Sequence, residues 1–155
     1  MDGPSPDERG FRFLFRTDRG RIDRATWWRG TLPLVVIGAM ATLIWVLVRP
    51  FTIHGLEQPP AAVLAAYLYL LAFSFGLLLL LICEYNLSAK RFAACGRPRS
   101  LAGILPLTLL LGGAFTWYLP RSQGLLPEWS AWIAIVIAAG VVVWNVVELG
   151  IRQPR

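Results

Sequence analysis

Two glutamates stand where a carboxylate could do chemistry at the edge of a membrane. Glu84 directly follows the apolar residues 61–83, and Glu148 lies near the end of the apolar residues 129–149. A carboxylate close to hydrocarbon is costly unless it is paired, so one interpretation is a proton or ion path. The interpretation that we favour is an ion-pair cluster at the membrane surface, because cations stand near both glutamates in the sequence. The candidate cluster consists of Arg21, Arg24, Glu84, Lys90, Arg91, Arg97, Glu148 and Arg152.

Motifs for other kinds of chemistry are missing from the sequence. It contains no phosphate-binding Gly-Lys-Ser/Thr loop, no nucleophile elbow and no paired carboxylates within one motif. Cys83, Cys95 and a single histidine cannot supply a zinc-like set of ligands. The net charge of +6 is accompanied by several acids in the N-terminal part, which is not typical of a nucleic-acid-binding surface. We therefore expect no enzymatic activity, no cofactor, no metal and no nucleic-acid partner.

The elements that must position the glutamates are membrane-spanning helices. Hydrophobic residues make up 56% of the 155-residue chain and charged residues 15%, against roughly a quarter charged in ordinary globular proteins. Four apolar segments, at about residues 31–48, 61–83, 101–119 and 129–149, are long enough to cross a hydrocarbon core of about 30 Å at about 1.5 Å per residue. The sequence predicts an all-α integral membrane protein with four transmembrane helices in one domain, residues 31–155.

The distribution of cations predicts how this domain is oriented. Of the 15 Lys and Arg residues, seven precede residue 31, four lie in the basic stretch 83–100, two follow residue 149, and two lie in the connections 49–60 and 120–128. Positively charged flanks stay on the cytoplasmic side of a membrane. We therefore expect both termini and the basic stretch in the cytoplasm, with the lipid bilayer and its anionic headgroups as partners.

The N-terminal residues divide into two parts. Residues 1–10 are polar and rich in Pro and Gly, which predicts a flexible tail. Residues 11–30 interleave aromatic and basic side chains, which is typical of a segment lying in the headgroup layer with its rings pointing inward. A solvated linker is the alternative for this segment. Asp23 is a candidate cap for a helix beginning at Arg24, and Trp27 with Trp28 is expected to form an aromatic belt at the interface.

Two short motifs resemble those of a known family. The first is carried by Gly20, Arg21, Ile22, Arg24, Trp27 and Trp28, and the second by Lys90, Arg91, Phe92, Gly96 and Arg97. Together they resemble bacterial inner-membrane proteins of the domain of unknown function 805 family. The resemblance implies a multi-pass protein of the bacterial inner membrane and supplies no established activity. A histidine–aspartate pair of the family's second motif is replaced here by Ala93 and Ala94, which removes two side chains able to move protons or bind a metal.

Two functions remain open at this point. The first is a structural, scaffolding or accessory role in a membrane complex, exercised through helix packing and the basic cytoplasmic face, with a membrane protein or a second copy as partner. The alternative is a transporter or channel component, which would be oligomeric because four helices enclose little space.

Overall fold

The structure is a computed structural model, and it describes residues 10–53, 59–119, 126–127 and 129–152. Within these ranges most of the chain is helical, and there is no β-strand. Four of the helices in the described ranges are long and apolar enough to cross a membrane. The predicted tail, apart from Gly10, and parts of both connections between the predicted spans, residues 54–58, 120–125 and 128, lie outside the described residues.

Helices α1 and α2 form the N-terminal part of the fold. Helix α1 covers Phe11–Arg16 and α2 covers Arg24–Ile53. The Asp23 Oδ1 atom accepts a hydrogen bond from the backbone N–H of Thr26 at 3.1 Å, which confirms the predicted cap of α2. At its other end α2 continues through Pro50 to Ile53, beyond residue 48, where the first span is predicted to end. A proline removes one backbone donor, and a membrane-spanning helix tolerates that loss when neighbouring groups satisfy the freed carbonyl.

Helix α3, Pro60–Ala94, is 35 residues long. At about 1.5 Å per residue it measures about 52 Å, well beyond the roughly 30 Å of a hydrocarbon core. The helix continues beyond residue 83, the predicted end of the second span, and includes most of the basic stretch 83–100. Within the basic stretch the first glycine or proline is Gly96, which has a left-handed φ of 70°, and Pro98 follows two residues later. Helix α3 is therefore longer than one crossing of a hydrocarbon core requires.

The C-terminal half of the fold begins with a 3-10 turn, Arg99–Gly103, that leads into α4, Ile104–Tyr118. Helix α5 covers Trp129–Asn145 and ends in a π turn, Val146–Ile151. A π turn inside a helix is rare and often occurs at functional positions. Here the π turn includes Glu148 and Gly150, and the chain becomes extended at Arg152.

The buried interior lies at one end of the helices rather than along their length. In the spanning region α2 and α3 pack through a stacked pair, Trp45 and Phe73, with ring centroids 5.9 Å apart, and Tyr69 donates a hydrogen bond to the Ala41 carbonyl at 2.6 Å. Most other apolar side chains of this region are exposed, as a lipid environment requires. The buried core instead comprises Ile22, Trp27, Leu87, Ala89, Phe92, Ala102 and Leu149. We call this part of the molecule the packed end: α1, the start of α2, residues 81–94 of α3, the 3-10 turn and the π turn.

Candidate functional site

Two adjacent tryptophans at the start of α2 organise the packed end. The Trp27 ring is only 1% exposed and its Nε1 donates to the Ser88 hydroxyl at 3.3 Å, while Trp28 Nε1 donates to the Gly150 carbonyl at 3.3 Å. The two rings meet edge to face with centroids 4.9 Å apart. The prediction of an interfacial belt is therefore wrong for Trp27, because its ring is enclosed by protein. The pair ties α2 to α3 on one side and to the π turn on the other.

Glu84 is buried and lies among hydroxyl groups. Its Oε1 accepts a hydrogen bond from the Ser88 hydroxyl at 2.7 Å and its Oε2 accepts one from Thr31 at 3.2 Å. Within the described ranges no cation forms an ion pair with it, so the predicted pairing with Lys90 or Arg91 is wrong. Those residues follow by six and seven positions on α3, which places them about 9–10 Å further along the axis.

Lys90 connects α1 to α3 and does not pair with Glu84, the acid that the sequence predicts as its partner. Its side chain is fully buried, its Nζ donates to the Leu14 carbonyl at 2.9 Å, and the ammonium lies 4.9 Å from the centroid of the Phe13 ring. Asn86 makes a second attachment, from its Nδ2 to the Phe15 carbonyl at 2.7 Å. The N-terminal segment is thus held by side chains of α3 that bind its backbone.

Arg91 connects α3 to the C-terminal segment by binding backbone carbonyls of that segment. It is 1% exposed, its Nε donates to the Leu149 carbonyl and its Nη2 donates to the Arg152 carbonyl, both at 3.0 Å. Carbonyl groups at the end of a helix have no partner within the helix, and a cation is favourable there. Arg91 therefore closes the end of the π turn against α3.

Glu148 is the centre of an ion triad. The Glu148 residue is 7% exposed. Arg152 Nη1 contacts both of its carboxylate oxygens at 2.6 Å, and Arg97 Nη2 lies 2.8 Å from Oε1. Arg152 comes from the same helical end, four residues later, whereas Arg97 comes from the turn after α3. The triad joins these two segments at the surface of the packed end.

Arg21 and Arg24 contact neither glutamate. Both are exposed, and together with Arg91 they line an open cavity of about 540 Å³. Asp23 also lines this cavity, and hydrogen bonding by Thr26 holds its pKa below the ordinary value against the opposing effect of partial burial. Of the eight predicted residues, three form one ion cluster, Glu84 forms a separate hydroxyl cluster, two bind backbone carbonyls, and these two arginines face the cavity.

Four buried polar residues in or next to the packed end are not in the predicted cluster. Thr31, Asn86 and Ser88 have the contacts given above, and the side chain of Asn145, which is 2% exposed, has an Nδ2 without a hydrogen-bond partner in the described part of the chain. Ser88 could have been found, because it follows Glu84 by the four residues that bring side chains together on a helix. Thr31 and Asn86 depend on contacts between distant parts of the sequence.

The described residues contain no group of three or more side chains that could hold a metal ion. Comparison with family models, curated proteins and solved structures gives no match for this chain. The geometry of the packed end offers three chemical features: a buried carboxyl among hydroxyl groups, cations bound to backbone carbonyls, and a cavity lined by arginines.

Proposed function

We propose that this chain is a four-span protein of the bacterial inner membrane that acts as a structural, scaffolding or accessory component of a membrane complex. The observation that carries the proposal is the use of buried cations at the packed end. Lys90 and Arg91 direct their donors to backbone carbonyls of the N-terminal and C-terminal segments. Such contacts fix the shape of a surface, whereas a transport path needs charged groups that face a passage.

The orientation of this surface is part of the proposal. Contacts of Lys90 with Leu14 and of Arg97 with Glu148 bring the N-terminal segment, the basic stretch 83–100 and the last turn of the chain to the same end of the helices. Thirteen of the 15 Lys and Arg residues belong to these three segments or to the terminal residues beyond them. The positive-inside bias therefore supports a cytoplasmic location for the packed end.

Membership of the domain of unknown function 805 family is also proposed, on the placement of the two motifs. Gly20 and Gly96 both have left-handed backbone angles, with φ of 105° and 70°, which explains why each motif has glycine at that point. Trp27, Arg91 and Phe92 all belong to the packed end. The motifs thus supply the turns and the packing of one and the same region.

The scaffolding proposal is tested by purifying the tagged protein from native membranes in mild detergent and quantifying the proteins that accompany it. We expect a partner in stoichiometric amount that is lost with Arg99→Glu, which reverses an exposed charge at the packed end. Ala61→Glu places the same charge in the first turn of α3, at the opposite end, and should retain the partner. Loss of the partner in both variants, or a wild-type protein that purifies alone, would count against the proposal.

A transporter or channel component is the second candidate, and Glu84 is the observation that favours it. The buried carboxyl has two hydroxyl partners and, among the described residues, no cation to neutralise it. A group of this kind could receive a proton or a small cation. Flux measured in proteoliposomes separates the two functions: the scaffolding role predicts none, whereas flux that Glu84→Gln abolishes and Glu148→Gln preserves would establish transport.

A further inference from the structure

The cavity at the packed end has a definite set of walls. It lies between the residues that open α2 and the last turn of α3, and three arginines, Arg21, Arg24 and Arg91, line it with one acid, Asp23. The remaining lining residues are small or apolar, and they are Ile22, Ala25 and Ala94. Cations from two separate segments of the chain therefore converge on a space of about 540 Å³.

The charges around this cavity do not balance. Three arginines against one aspartate leave an excess of two positive charges. In the ranges that the structure covers, none of the three arginines forms an ion pair with a carboxylate. Burying the positive charge of Arg91 costs the most free energy of the three, because Arg91 is 1% exposed and binds only the neutral carbonyl groups of Leu149 and Arg152. A buried cation without a counter-charge favours an anion beside it.

Asp23 cannot serve as that counter-charge for the whole cavity. Its Oδ1 accepts the Thr26 N–H that caps α2. The carboxylate is ionised at neutral pH, since hydrogen bonding by Thr26 keeps its pKa below the ordinary value. It therefore reduces the positive potential of the cavity without removing it, and it should oppose any anion that binds there.

We propose that this cavity is a binding site for a phosphate group, held between the guanidinium groups of Arg21, Arg24 and Arg91. Guanidinium groups match phosphate oxygens with paired donors, which makes arginine well suited to this ligand. The cavity lies at the end of α2 from which the first candidate span extends, and lipid headgroups or solutes in water could reach a site at that end. The phosphate belongs either to a lipid headgroup or to a free phosphate ion. The site is independent of the scaffolding role and stands if that role fails.

The test uses the full-length, delipidated protein in detergent and two probes, inorganic phosphate and a short-chain phosphatidylglycerol, with the matching diacylglycerol as the phosphate-free control. Binding is measured by calorimetry and by native mass spectrometry. Arg21→Gln and Arg24→Gln should each weaken binding about fivefold, the effect of roughly one interfacial cation. Asp23→Asn should strengthen it about two- to fivefold by removing a repelling charge, since asparagine caps a helix as well as aspartate does.

Arg99→Gln is the matched control, because Arg99 is also exposed at the packed end but does not line the cavity. It should change the affinity less than Arg21→Gln or Arg24→Gln does, because its side chain does not line the cavity and an exposed charge acts on the site through screening salt. Competition between the two probes would show one site open to both sources of phosphate, and binding of one probe alone would identify its source. Binding of neither probe, binding of diacylglycerol equal to that of phosphatidylglycerol, or equal losses in Arg99→Gln and Arg24→Gln would overturn the proposal.

Discussion

Gly150, in the π turn, is a position where one added methyl group should disturb the packed end. A Cβ atom there would lie 2.7 Å from Trp28 Cζ2, 3.1 Å from Trp28 Cε2 and 3.2 Å from Trp27 Cζ3. Neither ring can retreat freely, because Trp27 is 1% exposed and both indoles donate hydrogen bonds, that of Trp28 to Gly150 itself. Gly150→Ala must therefore displace an aromatic ring or the π turn.

The expected loss of stability follows from three contributions. Overpacking a well-packed interior costs about 1–3 kcal/mol. Displacing Trp28 weakens its bond to the Gly150 carbonyl, which contributes about 0.5–1.5 kcal/mol. The better helix propensity of alanine returns at most about 1 kcal/mol. We therefore expect Gly150→Ala to lower the free energy of unfolding by about 0.5–4.5 kcal/mol.

The assay is unfolding in detergent micelles followed by tryptophan fluorescence, with Gly140→Ala as the control. Gly140 lies in α5, ten residues earlier, and a Cβ atom there meets nothing within 4 Å. The control should unfold like the wild type or be more stable by up to about 1 kcal/mol, since it gains helix propensity alone. Equal stabilities of the two alanine variants would refute the close packing of the indole rings on Gly150.

Two further predictions concern the charges of the packed end. Asp23→Ala should cost about 1 kcal/mol at neutral pH. Hydrogen bonding by Thr26 lowers the pKa of Asp23 from its ordinary 3.8. The greater stability of the wild type should therefore be complete above pH 3.8 and should vanish as the pH falls through the pKa of Asp23 in the folded protein. Unfolding measured at several pH values tests this, and a difference that does not change with pH would exclude an ionised cap. Arg97→Gln and Arg152→Gln should each cost less than about 1 kcal/mol, because the lost partner is partly exposed and the other remains. The double variant should lose about 3 kcal/mol or more, since it leaves Glu148 buried without a counter-charge; a double-mutant cycle measures this excess, and additive losses would contradict the triad.

The features of this fold that could be predicted from sequence are those that depend on composition over a long segment. Four helices long and apolar enough to span a membrane follow from uncharged stretches of the right length. The start of α2 follows from one local signal, the capping residue Asp23. Both depend on residues that are neighbours in the sequence.

The ends of the helices could not be predicted in the same way. Polar residues mark where a chain leaves hydrocarbon, but a helix of good helix formers continues into water until a breaker occurs. Helix α3 therefore runs through Lys90 and Arg91 to Ala94, just before Gly96. The side-chain partners show the same limit, because Thr31 reaches Glu84 from a residue 53 positions away, and no spacing rule identifies such a contact.

The central claim is that the packed end brings the N-terminal segment, the turn after α3 and the last helical turn together on the cytoplasmic side. The most direct measurement is labelling with a membrane-impermeant maleimide, in intact spheroplasts and in inverted vesicles. In a Cys83→Ser background, Cys95 reports on the turn after α3, and Thr17→Cys, added in the Cys83→Ser, Cys95→Ser double variant, reports on the N-terminal segment.

Ser122→Cys, in the same cysteine-free background, reports on the predicted outer connection. We expect Cys95 and Thr17→Cys to react in inverted vesicles alone and Ser122→Cys to react in spheroplasts alone. Labelling of Cys95 from outside, or of Cys95 and Thr17→Cys from opposite faces, would contradict it.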